Sequence, residues 1–147
     1  MNEEFMKLAY KQACIAFKED EVPVGCVIVS NGNVIAKAHN KKVKRNNAIY
    51  HAEIECINKA TKKIKNWNLS GCDMYVTLEP CMMCTGAIIN SRIDNVYFAC
   101  KDPKGGSFVS NIKIKKIKNI NHYPNYEYGI MEKQCSELLK SFFKAKR

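Results

Sequence analysis

At 147 residues, with 46% hydrophobic and 26% charged side chains, the chain has the size and balance of a globular domain with its own core. No apolar stretch, the charge-free residues 80–91 included, is long enough to span a bilayer; the acidic start Met1-Asn2-Glu3-Glu4 lacks the basic n-region of a secretion signal, so no membrane partner and a cytoplasmic location are expected. Lys and Arg number 24 against 14 Asp and Glu, a net charge of +10, which favours a polyanionic partner that releases counterions on binding.

Phe5, Leu8, Ala9, Ala13, Ala16 and Phe17 fall on one helical face and predict an amphipathic N-terminal helix. A strand over residues 24–30 follows, then the hairpin signal Asn31-Gly32, then a second strand through about Ala38. Residues 51–64 read as a helix. Residues 74–78 and 96–100 are short, nearly continuous apolar runs that suit central strands covered on both faces. Between them, residues 81–90 are apolar on every side and predict a buried helix. Residues 101–128 are the least legible: they hold Gly105-Gly106-Ser107, a lysine-rich stretch (Lys113, Lys115, Lys116, Lys118) and a last strand near Tyr126. Met131, Cys135, Leu138, Leu139, Phe142 and Phe143 make one face of a C-terminal helix. This order predicts one domain over residues 1–147, an α/β/α sandwich of three layers around a mixed sheet.

Six of the eight cysteines (Cys14, Cys26, Cys56, Cys72, Cys100, Cys135) are scattered singly, mostly in apolar runs, and read as small buried hydrophobes. Cys81 and Cys84 differ. At i and i+3 they share one helix face, so both sulfurs can reach one ion. A helix N-terminus favours their thiolates, and Pro80 suits the helix entry because its missing N–H costs nothing there. Because His51-x-Glu53 and Pro80-Cys81-x-x-Cys84 together resemble the signature of zinc-dependent deaminases, His51, from a neighbouring helix, is expected to complete three protein ligands and to leave a fourth position open, as catalytic zinc requires; one Zn2+ per chain is expected. Glu53, two residues after the histidine, is placed to carry protons rather than to bind the metal. Zinc brings the pKa of a water towards about 7, but two thiolates weaken it as a Lewis acid, so a proton shuttle is needed.

A redox Cys-x-x-Cys would sit in a thioredoxin-like pattern, and a zincin needs H-E-x-x-H. A structural zinc knuckle needs a fourth protein ligand. His39 and His122 have no ligand spacing and read as surface or loop residues. Glu79 reads as satisfying backbone groups at a strand end.

His51-x-Glu53 and Pro80-Cys81-x-x-Cys84 resemble the signature of zinc-dependent deaminases. The whole chain further resembles the family of bacterial tRNA-specific adenosine deaminases. The likeness runs through Glu21-Val22-Pro23-Val24-Gly25, Asn40, His51-Ala52-Glu53-Ile54 and Tyr75-Val76-Thr77-Leu78-Glu79-Pro80-Cys81. It continues through Gly86-Ala87-Ile88-Ile89-Asn90-Ser91-Arg92-Ile93, Asp102, Gly106-Ser107 and Phe142-Phe143 with its basic tail. The resemblance implies a cytidine deaminase-like fold with a mixed five-stranded sheet and hydrolytic deamination of adenosine to inosine at the wobble position of a tRNA anticodon. It also implies that the partner is a tRNA anticodon stem-loop and that the chain forms a homodimer whose pockets are each finished by the neighbouring chain. By the same resemblance Asn40 hydrogen-bonds the adenine ring, Asp102 touches a ribose or backbone near the target, and Phe142, Phe143, Lys146 and Arg147 touch the anticodon stem or loop.

The charge layout agrees. Lys41, Lys42, Lys44 and Arg45 lie just upstream of His51, a basic rim suited to a phosphodiester backbone that presents one base splayed from an RNA loop. Two departures from the family pattern fall at the entrance. Asn47-Ala48-Ile49-Tyr50 stands where Asp-Pro-x-Ala is usual, so Tyr50 is expected either to narrow the pocket mouth or to turn into the core, and the loop over residues 102–107 is compact. Two other readings remain open: a zinc deaminase of free bases or nucleotides, and a zinc-stabilised RNA-binding module without turnover.

Overall fold

Asn2 opens the first helix by accepting the Glu4 N–H at 2.9 Å, and Glu3 and Glu4 occupy the turn where the helix dipole favours negative charge. The computed structural model describes residues 1–146. Helix α1 (Glu3–Lys18) leads into β1 (Gly25–Ser30) and β2 (Asn33–His39), then α2 (Ala52–Ile64), β3 (Cys72–Leu78), α3 (Met82–Ser91) and β4 (Asn95–Cys100). A long connection containing one 3-10 turn (Ile114–Lys116) reaches β5 (Asn125–Tyr128), and α4 (Glu132–Ala145) follows.

The five strands form one sheet in the order β2-β1-β3-β4-β5. The hairpin turns at Asn31 and Gly32, both with positive φ, the geometry that matches strand twist in a two-residue loop. Strand β1 therefore pairs antiparallel with β2 and also with β3, whereas β3, β4 and β5 run parallel. Alternation along β1 divides the core. Cys26 and Ile28 face α2 and α3, where Ala52, Cys56, Ala60 and Ile88 pack with Met74, Val76, Val96 and Phe98. Val27 and Val29 face the other way, onto Met6 and Ala9 of α1 and Cys135 of α4. The result is the expected α/β/α sandwich. Helix α1 lies so close to the sheet that a Cβ on Gly25 would fall 1.9 Å from the Ala9 carbonyl oxygen.

Three local expectations need correction. Helices α2 and α3 begin one residue later than the apolar pattern suggests, because His51 and Cys81 adopt extended backbone as their N-caps; Pro80 thus precedes the cap rather than opening the helix. Helix α3 is buried on only one face: Cys84, Thr85, Ile88 and Ser91 point inward while Met82 is 69% exposed. His39 is not a surface residue. It is buried, with Nδ1 3.2 Å from Gln12 Oε1 and Nε2 2.7 Å from Glu19 Oε1. His122, which does lie in a loop, is half-buried, its Nε2 2.6 Å from the Ile93 carbonyl.

Candidate active site

The chain reversal after β2 and the exit from β3 deliver two helix N-termini to one point. His51 caps α2 and Cys81 caps α3, and Cys84 lies in the first turn of α3. His51 Nδ1 stands 3.7 Å from Cys81 Sγ and 3.6 Å from Cys84 Sγ, and one ligand atom from each of the three lies within 4.8 Å of the others. Around a zinc-sized ion, with M–N of about 2.0 Å and M–S of about 2.3 Å, tetrahedral geometry puts N and S about 3.5 Å apart. The donor set therefore fits such an ion without rearrangement. It is the only cluster of three or more His, Cys, Asp or Glu ligands of this kind among the described residues.

Donation from the Cys84 thiol, and then from His51 against the cost of burial, pulls Cys81 down to about 4. Accepting that role pushes Cys84 up, with burial adding to it, and the Cys81 contact raises His51. These shifts describe protons shared among three ligands, which a metal ion displaces. Glu53, on the first turn of α2, is 4% exposed. Burial pushes its carboxyl up to about 7, with its own backbone N–H opposing the shift.

The cluster lies at one side of a 190 Å³ pocket walled by Val22, Val24 and Leu78 and edged by Asn40, Lys42 and Asp102. The Asn40 backbone is fixed by its N–H to the Val24 carbonyl at 3.1 Å, while its buried Oδ1 has no hydrogen-bond partner. Such an atom is costly to leave bare and is available to a ligand donor.

Comparison with known proteins decides the family. The sequence pattern of the MafB19-like deaminases matches residues 1–147. A tRNA-specific adenosine deaminase of Rickettsia bellii is 45% identical over 141 residues, covering 95% of this chain and 97% of that one. The chain belongs to the tRNA-specific adenosine deaminases. A solved structure from a study of A-to-I editing by tRNA:A34 deaminases at the wobble position of transfer RNA superposes with a TM-score of 0.91 at 39% identity, covering 94% of this chain and all of that one. A guanine deaminase structure from Bacillus subtilis is more distant, at 31% identity and a TM-score of 0.68 over the whole of this chain and 94% of that one.

In this family member two buried carboxylates, neither assigned a ligand role, hold the loops around the pocket. Glu21 accepts the Val43 and Lys44 N–H groups at 3.0 and 2.6 Å and pins the basic loop. Glu79, 2% exposed, accepts N–H groups from Asp102, Phe108, Val109 and Ser110 and the Ser110 hydroxyl. Burial alone would raise its pKa, but these donors outweigh it and hold the group below the usual carboxylate range. The backbone-satisfying role read for Glu79 in the sequence is the one seen. Glu21 was missed as a clamp; its only signal was an acid immediately ahead of the apolar Val22-Pro23-Val24.

Of the four basic-loop residues, only Lys42 lines the pocket. Lys41 turns inward to Glu55 at 3.0 Å, Lys44 pairs with Glu19 at 3.2 Å, and the Arg45 guanidinium covers the Tyr50 ring at 5.6 Å. Tyr50 thus neither enters the pocket lining nor joins the core; it is half-buried beneath Arg45. Phe142 is buried edge-on to Phe17, whereas Phe143 is 49% exposed and lines a second, larger groove. Lys146 pairs with Asp20 at 2.5 Å. Arg147, the remaining expected contact, lies outside the described residues.

Proposed function

We propose that this chain hydrolyses adenosine to inosine at the wobble position of a tRNA anticodon, with one zinc ion on His51, Cys81 and Cys84 and Glu53 as the proton carrier. The supporting observation is a pair of neighbouring cavities. The 190 Å³ pocket beside the ligand cluster shares Val22, Leu78 and Asp102 with a groove of 1120 Å³ lined by Lys101, Lys104, Lys140, Lys144, Lys146 and Phe143. A free base would need only the small pocket. A base flipped from an RNA loop needs both, because its flanking phosphates must be held outside. This favours tRNA over the free-base reading, and a buried carboxylate beside the ligands favours turnover over a passive binding module.

Zinc, when bound, supplies the Lewis acidity that makes water nucleophilic near neutral pH. The chain's own residues do the rest. Val22, Val24 and Leu78 sandwich the purine, and the Asn40 Oδ1 accepts from its edge. As water adds to C6, Glu53 takes the proton that the water sheds and delivers it to N1. Glu53 then passes the remaining hydroxyl proton to the exocyclic nitrogen, which leaves as ammonia, and the 6-oxo base remains. Lys42 and Asp102 flank the mouth, where they meet the phosphate and ribose of the target. Phe143 offers an exposed ring for stacking.

The outer face of α3, with Met82, Met83, Gly86 and Ala87 partly or largely exposed beside Cys81, supports docking of a second copy next to each pocket. The enzyme would act on tRNA in the cytoplasm.

Incubation of zinc-loaded protein with unmodified tRNA, and separately with free guanine, cytosine and adenosine, tests the proposal by nucleoside analysis and ammonia release. Inosine in tRNA with inert free bases is expected. Turnover of a free base with none on tRNA would overturn it.

A further inference from the structure

Between Asp102 and Glu127 the chain carries five lysines and no acidic residue. Four of them, Lys113, Lys115, Lys116 and Lys118, are interleaved with Ile112, Ile114, Ile117 and Ile120. Ile114 is buried in the core that α2 and α3 cover, Ile120 packs against the same core, and Ile112 and Ile117 are half-buried. The four lysines are all exposed. The backbone that carries them is fixed. The Asn111 and Ile112 N–H groups donate to the Gly106 carbonyl at 3.0 and 3.1 Å, Ile114 N–H donates to Phe108 O at 3.1 Å, and the Tyr123 hydroxyl donates to Ile117 O. These anchors tie the segment to the loop that Glu79 holds at the pocket mouth.

None of the four lysines forms an ion pair among the described residues, in contrast to Lys41, Lys44, Lys59 and Lys146. Their neighbours are aromatic. Lys115 Nζ lies 5.4 Å from the centre of Tyr126, and Lys101 Nζ lies 5.6 Å from that of Tyr128. Tyr126 and Tyr128 occupy one face of the edge strand β5, with Glu127 on the other. Because Lys101 also lines the large groove, a cationic track runs from the groove across β5 to the isoleucine-anchored lysines. Like charges held close on a rigid frame repel one another, and a polyanion relieves that repulsion by releasing its own counterions.

We propose that this lysine strip is a second RNA contact, gripping the phosphate backbone of the substrate outside the deaminated loop. The inference rests on the tRNA reading above and extends it to the body of the molecule. The partner is an RNA backbone rather than a specific base sequence, since lysines act as point charges on phosphates.

The test is a variant carrying Lys113→Gln, Lys115→Gln, Lys116→Gln and Lys118→Gln, compared with wild type on full-length tRNA and on a minimal anticodon hairpin. All four side chains are exposed, so melting temperature and metal content should not change. For full-length tRNA the slope of log affinity against log salt should flatten by about 2 to 3 units, with KM raised roughly tenfold or more and kcat retained. The hairpin should be bound and deaminated as by wild type. Equal losses on both RNAs, or none on either, would overturn the inference. Absence of inosine formation by the wild type would instead reject the underlying tRNA reading.

Discussion

The Glu79 carboxyl fills the space that a side chain on Gly106 would need: a Cβ there would lie 2.3 Å from Glu79 Cδ. Gly106 also bridges to Cys81 of the candidate metal cluster, and the adjacent Ser107 N–H donates to the Pro80 carbonyl at 2.9 Å. One buried carboxylate thereby couples the Asp102 loop to the strand exit that presents the cysteines. Gly106→Ala should displace Glu79 and destabilise the fold by about 1 to 3 kcal/mol through unpaired N–H donors. KM should rise as the Asp102 loop shifts. Equilibrium unfolding and steady-state kinetics check both effects.

Glu79 also predicts a pH dependence. Its folded-state pKa lies below the unfolded value of about 4.3. Its contribution is therefore complete above that value and fades as the pH falls through the lower folded one. Glu79→Gln should trail wild type most at neutral pH, and the gap should narrow below about pH 4. Denaturant titrations at several pH values would show a constant gap if the charge were irrelevant.

Metal binding and proton transfer should separate at α2. Glu53→Gln should keep its metal and lose about 10²- to 10⁴-fold in kcat, the usual worth of a positioned acid–base group. Cys84→Ala should lose the metal and with it part of the folding stability. Metal analysis and thermal melts distinguish the two. Metal loss in Glu53→Gln would show that this carboxylate is a ligand after all.

The basic loop should divide by partner. Lys42→Ser should flatten the salt dependence of RNA binding by about one unit and leave stability alone. Lys41→Met removes the nearest partner of buried Glu55, leaving Lys59 at 3.6 Å. It should cost about 1 to 3 kcal/mol of stability with little change in the salt slope. Binding isotherms over a salt series, alongside unfolding curves, resolve the pair.

Tyr50→Ala should have little effect on metal content or KM for RNA, because the ring stacks under Arg45 outside the pocket lining. The stability loss should be about 0.5 to 1 kcal/mol, the worth of an exposed cation–π contact, well below that of a buried aromatic. A large shift in KM would place Tyr50 in the entrance.

The clustering of His51, Cys81 and Cys84 and the order of elements were legible because their signals are local. A Cys-x-x-Cys at a helix start and a histidine two residues before a glutamate each fix geometry over a single turn, and apolar periodicity marks the strands and helices that carry them. Tertiary structure alone decided what faces what. Four neighbouring cations in the sequence became one pocket residue, two ion pairs and one ring cover, because Glu55, Glu19 and Tyr50 come from other turns of the chain. His39 went inside because Gln12 and Glu19, far away in sequence, satisfy both its nitrogens. The apolar α3 stayed open on one side because only one face of any helix can meet one sheet. Residues 101–128 were the least legible because part of their order comes from Glu79, a single side chain more than twenty residues upstream that holds Asp102 and residues 108–110, and such a long-range anchor leaves no periodic trace.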